Sequence, residues 1–227
     1  MSRPEPPPRR ILVTGGSSGI GFEASRQLLE AGHQLSVICR DAATALALRQ
    51  RLSGGEPNEP RESAVATPIG DLADLESVER CAAALLAADE PIDTLVLNAG
   101  LQYSGAREPR WSAQGYELTI AVNHLAHQAL LQRLLPLLLR GRAPRLVITA
   151  SEVHDPETPG GRVGQPADLG ALEGLRQGPG AAMLDGSLRF NAEKAYKDSK
   201  LCNLLMAREA ERRLRQRGRS EEHTSEL

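Results

Sequence analysis

Tyr196 and Lys200 stand four residues apart in the run Glu193-Lys194-Ala195-Tyr196-Lys197-Asp198-Ser199-Lys200-Leu201-Cys202-Asn203-Leu204-Leu205-Met206, which reads as a helix. Residues at that spacing share a helix face, so the ammonium is expected beside the phenol. A positive charge there favours phenolate and draws a pKa of about 10 toward the range useful for acid/base work. On its own, such a pair reads as a solvated helix face. A second run, near the other end of the chain, gives it a chemical partner. Thr14-Gly15-Gly16-Ser17-Ser18-Gly19-Ile20-Gly21 follows the apolar stretch Arg10-Ile11-Leu12-Val13-Thr14 and opens an apolar-periodic segment at Ile20, Ala24, Gln27, Leu28 and Ala31. Strand, glycine-rich turn and helix in that order can hold a dinucleotide. Gly15 permits the tight reversal, Gly19 lets backbone approach a pyrophosphate, and Gly21 lets helix pack on strand. The helix N-terminus offers N–H groups and a positive dipole end to the phosphates. Thr14, Ser17, Ser18 and Ile20 lie in the same turn and are counted with these glycines as dinucleotide contacts.

The elements that must position the two runs are legible in outline. Apolar strand-type runs recur near 10–14, 35–40, 64–69, 93–97 and 145–150, with helical patterns near 20–31, 41–52, 73–88 and 113–139. Strand alternating with helix predicts an α/β fold with a doubly wound parallel sheet. The 227 residues suit one domain of that kind. Residues 155–182 are rich in Gly and Pro and lack periodicity. Lying between Ser151 and Tyr196, they are a candidate wall for a substrate pocket, the alternative being a loose surface insertion.

Composition excludes several function classes. Lys plus Arg number 27 against 29 acids, a net charge of -2 that leaves no basic footprint for nucleic acid. Cys39, Cys81 and Cys202 show neither CxxC nor Cys/His spacing, so a reducing, cytoplasmic location and no structural metal are expected. His124, His127 and His154 invite a metal reading, but His124 and His127, three apart on a helix, lack a nearby acidic ligand or third histidine at useful spacing, and these are read as core or surface histidines. The greasiest stretch, 130–139, is far short of the roughly 20 apolar residues of a membrane span and is broken by Gln132, Arg133 and Pro136.

Together these residues resemble the short-chain dehydrogenase/reductase family, from about Arg10 to about Arg217. The resemblance implies a Rossmann-type sheet and assigns further positions. Leu97-Asn98-Ala99-Gly100 is similar to the family's Asn-Ala-Gly motif, which steadies the central sheet beside the cofactor. Asp71-Leu72 is similar to the pair whose acid approaches the adenine. Asn123 matches the helix asparagine that organises a relay water. Ser151 matches the serine that hydrogen-bonds a substrate carbonyl. With Tyr196 and Lys200 they complete a catalytic set of four. Within the family, Pro166-Ala167-Asp168-Leu169-Gly170, Met183-Leu184-Asp185-Gly186 and Lys194-Ala195-Tyr196-Lys197-Asp198-Ser199-Lys200-Leu201-Cys202-Asn203 resemble landmarks of the light-dependent protochlorophyllide reductases, where Cys202 matches a cysteine near the pigment. Two features depart from that branch: it usually carries Cys-Asn-Ala-Ala at 97–100, and it usually lacks the serine at 151. Both resemble carbonyl reductases of the retinol dehydrogenase type. A tetrapyrrole and an apolar carbonyl compound therefore both stand as the small apolar substrate, and a catalytically silent NADP-binding scaffold is the alternative from another class.

NADPH is the expected cofactor. An NAD enzyme would place a carboxylate at the end of the second strand, where this chain has Cys39-Arg40, and a guanidinium there suits a 2′-phosphate. Asp41 is read instead as the N-cap of the following helix. The resemblance also implies a homo-oligomer that pairs through the leucine-rich helix at 125–139. Residues 1–9 are read as a proline-rich leader and 10–218 as the domain. Residues 219–227, Arg-Ser-Glu-Glu-His-Thr-Ser-Glu-Leu, are what a common sequencing adapter encodes in frame and are read as an artefactual tail. The resembled sheet has about seven strands and five are legible here, so the expectation is a domain incomplete at its C-terminus.

Overall fold

The computed structural model describes residues 7–53 and 64–216. Residues 1–6 of the leader and the tail at 219–227 lie outside them. Strands β1 (Arg10–Thr14), β2 (Gln34–Ile38), β3 (Val65–Ala66), β4 (Thr94–Leu97) and β5 (Arg145–Ile148) form one sheet of order β3-β2-β1-β4-β5. Every pairing is parallel. Helices α1 (Gly19–Glu30), α2 (Ala42–Leu52) and α3 (Leu75–Ala88) fill the first three crossovers. Between β4 and β5 a helix starts as α4 (Leu118–Ile120), widens into a π turn (Ala121–Leu125) and continues as α5 (Ala126–Leu139). After β5 come a short α6 (Glu173–Gln177) and the long α7 (Ala192–Gln216).

Residues alternating along a strand face opposite sides, and β1 shows the result. Ile11 and Val13 join Leu29, Leu48 and Leu52 of α1 and α2 in one buried cluster. Leu12 joins Val78 of α3, Leu130 and Leu134 of α5 and Met206 of α7 in the other. Helices therefore cover both faces, the doubly wound arrangement the alternation predicted. The strand order reverses between β1 and β4, and in such sheets ligands bind in the crevice beyond the strand C-termini at that point.

Strand and helix limits differ from expectation for local reasons. β3 is only two residues long because Pro68 has no N–H to donate. The chain regains contact through a single bridge, Cys39 to Ile69. The helix expected from 113 begins at Leu118, since Ser112 to Tyr116 form a turn with Gly115 at φ +76°. Asp41 caps α2 by accepting from the Thr44 amide at 2.6 Å, and both carboxylate oxygens of Glu117 cap α4. β5 pairs with β4 on one side, and among the described residues no strand lies on its other side.

Candidate active site

The glycine-rich turn sits at the C-terminal end of β1. Gly15 has φ +69°, and a Cβ there would lie 2.6 Å from the Ala99 Cα, so only glycine lets the turn press against the end of β4. Gly19, at φ +53°, has nothing within 4 Å of such a Cβ, which leaves its backbone open to an incoming group. Gly21 departs from expectation. It packs not on a strand but against its own turn, where a Cβ would meet the Gly15 carbonyl at 2.2 Å and the Asn98 amide at 2.4 Å. Gly16, which the sequence reading passed over, is equally constrained, by Ser25 and Val37. Ser18 precedes α1 in an extended conformation without a side-chain cap, and Ile20 is 84% exposed. An uncapped, open helix N-terminus of this kind fits a dinucleotide phosphate.

The ends of β1, β4 and β5 are laced together. Thr14 Oγ1 accepts from the amides of Asn98 and Ala99 at 2.9 and 3.1 Å, and Asn98 Oδ1 accepts from Thr149 Oγ1 at 3.1 Å. Asn123, wholly buried in the π turn, accepts from the Leu101 amide at 2.8 Å. Its Nδ2 donates to the Leu101 carbonyl at 3.0 Å and to Ser199 Oγ at 3.1 Å. Ser199 belongs to α7, so this amide fixes the helix that carries Tyr196 and Lys200. The Lys200 ammonium donates to the Thr149 carbonyl at 3.1 Å, and a Cβ on Gly100 would sit 3.6 Å from both that ammonium and Asn123 Oδ1. Ser151 lies near enough to Tyr196 for its hydroxyl to oppose the rise in the phenol's pKa. Tyr196, Ser151, Lys200 and Asn123 thus lie together at one end of the sheet, beside Asn98-Ala99-Gly100 and the glycine turn.

One electrostatic expectation is corrected. Burial raises the Tyr196 pKa above its ordinary value, against a smaller opposing effect of the Ser151 hydrogen bond. Burial also lowers the Lys200 pKa. The ammonium lies 5.3 Å from the phenol ring centre and is turned to Thr149, so it offsets little of the cost of burying a phenolate.

A family model described as short chain dehydrogenase matches residues 9–163. The chain belongs to that family. It is 37% identical over 210 residues to protochlorophyllide reductase of Avena sativa, covering 89% of this chain and 65% of the relative. It is also 37% identical over 213 residues to the chloroplastic protochlorophyllide reductase A of Oryza sativa subsp. japonica, covering 89% and 53%. The chain thus spans between half and two thirds of the length of these curated relatives. Among solved structures it resembles an uncharacterized Mycobacterium paratuberculosis protein with TM-score 0.68, 29% identity and 92% and 64% of the two chains covered. It also resembles Pseudomonas aeruginosa RhlG in an active-site complex with NADP, with TM-score 0.63, 26% identity and 92% and 68% covered.

The remaining expected contacts of this short-chain dehydrogenase lie nearer the surface. Arg40 is exposed and pairs with Asp41 at 3.1 Å. The Asp71 carboxylate accepts from the Ala73 amide at 2.9 Å, and Leu72 packs on the core. His127 and His124 are satisfied by protein partners, His127 by Thr14 and Asn123 and His124 by Asn203. Among the described residues no group of three His, Cys, Asp or Glu could hold a metal, and no helix is long and apolar enough to cross a membrane. The three cysteines are free and buried, and burial pushes the Cys202 thiol up to about 12.

Residues that sequence reasoning missed fasten the loop before α7. The Lys197 ammonium, buried, donates to the carbonyls of Gly161 and Val163 at 2.8 and 2.6 Å. Lys194 donates to the Asp168 carbonyl at 2.5 Å and pairs with Asp198 at 2.7 Å and Asp185 at 3.1 Å. Asp198 in turn accepts from the Asp168 amide at 2.9 Å. The loop is fastened to α7 at several points and is not a loose insertion. The sequence shows only lysines beside a Tyr-xxx-Lys pair, with nothing to mark them as buried.

Two outcomes follow from this geometry. In a spectrophotometric titration without cofactor, the phenolate signal lost in Tyr196→Phe is expected to develop only above the ordinary tyrosine value of about 10, since a raised pKa keeps the proton on through neutrality. Lys197→Met leaves two loop carbonyls without their donor, at about 1–3 kcal/mol for such a buried group. Trypsin cleavage at exposed Arg162 should therefore quicken by roughly tenfold while the global urea midpoint moves little.

Proposed function

We propose that the protein is an NADPH-dependent oxidoreductase of the protochlorophyllide reductase type. The observation that carries the reading is the meeting of Tyr196, Ser151, Lys200 and Asn123 beside an open glycine turn at the switch point of the sheet. Thr14, Gly15, Ser17, Ser18, Gly19, Ile20 and Gly21, with the N-terminus of α1, would hold the pyrophosphate. Arg40 would take the 2′-phosphate, Asp71 and Leu72 the adenine, and Asn98, Ala99, Gly100, Tyr196 and Lys200 the nicotinamide side. When bound, NADPH supplies a hydride to one atom of the substrate's reducible double bond.

The other atom needs a proton, and Tyr196 is the donor. Its raised pKa keeps that proton in place at neutral pH, so the phenol is a reserve of acid released only when a basic atom develops beside it. Lys200, held on the Thr149 carbonyl, would hold the nicotinamide ribose, and Asn123 holds the relay by which the proton is replaced. Ser151 orients the substrate. The loop from Gly161 to Asp185 walls the apolar side, with Cys202 among Ile120 and Leu184 behind it as a protonated thiol.

The tetrapyrrole substrate is supported by the runs at 166–170, 183–186 and 194–203 and by the identity to the oat and rice proteins. A second reading, a light-independent reductase of an apolar ketone or aldehyde, is favoured by the Ser151 hydroxyl at the phenol, which suits a carbonyl oxygen held by two donors. A silent scaffold would have no use for four converging catalytic groups. We further infer a homo-oligomer through α5. A cytoplasmic location rests on the three free thiols; the rice relative's chloroplastic location is a statement about that protein.

Under saturating light with protochlorophyllide, Tyr196→Phe is expected to lower turnover by about 10²- to 10⁴-fold while NADPH still binds. Undiminished turnover would refute the donor assignment. NADPH should bind more tightly than NADH, with Arg40→Ala removing most of the difference. Equal dissociation constants in the parent protein would remove Arg40 from the site.

A further inference from the structure

His127 lies one turn beyond Asn123 on α5 and is wholly buried. Its Nε2 is 2.9 Å from Thr14 Oγ1, and its Nδ1 is 3.0 Å from the Asn123 carbonyl. The hydrogens on these bonds follow from counting. Thr14 Oγ1 already accepts two amide protons, from Asn98 and Ala99, which use both of its lone pairs. Its own proton must then be donated. The choices are His127 Nε2 at 2.9 Å and the Val96 carbonyl at 3.4 Å, and the shorter bond is the stronger. Nε2 is therefore the bare acceptor. Nδ1 carries the hydrogen, as it must, because a carbonyl can only accept. The ring is neutral: burial drives its pKa down to about 3, with the charge of Lys200 and the nearby His124 acting in the same direction.

We propose that His127, as the neutral Nδ1–H tautomer, is a positioning residue that couples the dinucleotide turn to the relay asparagine. Through Thr14 it reaches the turn and the Asn98-Ala99 backbone. Through the Asn123 carbonyl it reaches the π turn, so Asn123 is held by three partners, Leu101 and Ser199 on its side chain and His127 on its backbone. Any shift of the turn on loading is passed to the group that holds the proton relay. This inference rests on the proposed roles of Asn123 and the turn.

The test uses the full chain with ¹⁵N-labelled histidine, observed by long-range ¹H–¹⁵N correlation. The parent is expected to show His127 as the Nδ1–H tautomer, unchanged from about pH 5 to pH 8. Thr14→Val should shift the Nε2 resonance toward that of an unbonded nitrogen without protonating it. An Nε2–H tautomer, titration near the ordinary histidine value of about 6.5, or an Nε2 resonance indifferent to Thr14→Val would overturn the coupling. These readouts need no turnover, so they separate failure of this inference from failure of the proposed reaction. In protein that does turn over, His127→Phe should lower kcat by about 10- to 100-fold, the scale of a small misplacement, with substrate KM within about twofold. His127→Gln, which can still accept from one side and donate to the other, should recover part of the loss. A kcat unchanged in His127→Phe would also overturn the proposal.

Discussion

The buried side chain of Asn123 is the joint on which the rest of the site depends. An amide sealed from water must satisfy its donors and acceptor within the protein, at about 1–3 kcal/mol for each group left alone. Asn123 does so with the Leu101 backbone on one side and Ser199 on the other. That requirement sets the register of α7 against the helix from α4 to α5. Once Ser199 is placed, Lys200 falls against the Thr149 carbonyl and Tyr196 against Ser151. The amide belongs to a π turn, Ala121–Leu125, and such turns occur frequently at functional sites.

A second constraint is the charge buried along α7. Lys194, Lys197, Asp198 and Lys200 are all withdrawn from water within seven residues. Charges in that position persist only when paired or hydrogen-bonded, and each has its own partner in a different segment. Lys200 serves the end of β5, Lys197 serves Gly161 and Val163, and Lys194 with Asp198 serves Asp168 and Asp185. The helix that would present the proposed proton donor is therefore also the post to which the loop from Gly161 to Asp185 is tied. In the proposed reaction, specificity and acid/base chemistry would share this one element.

The sheet was legible because buried parallel strands are written as short apolar runs, and Arg10–Thr14 and Thr94–Leu97 are such runs. Their limits were less so. Pro68 cuts β3 short, and a π turn leaves no mark on a helical pattern whose apolar positions continue through it. The meeting of Tyr196, Lys200, Ser151 and Asn123 could be anticipated only from family resemblance, since they are spread over nearly eighty residues. The protonation of Tyr196 was misread because spacing places Lys200 on the same face but says nothing of burial or of the Thr149 carbonyl that takes its hydrogen bond. The loop from 155 was opaque for a related reason. It is held by lysine-to-carbonyl contacts, which impose no periodicity on the residues they hold.

The central claim is that one hydrogen of the product comes from the cofactor as hydride and the other from solvent through Tyr196. Mass spectrometry of the pigment formed under illumination tests this most directly, first with NADPH deuterated at the transferable position in ordinary water, then with ordinary NADPH in heavy water. The account predicts one non-exchangeable deuterium in each case. A product unlabelled by the deuterated cofactor, or one that takes both hydrogens from the same source, would contradict it.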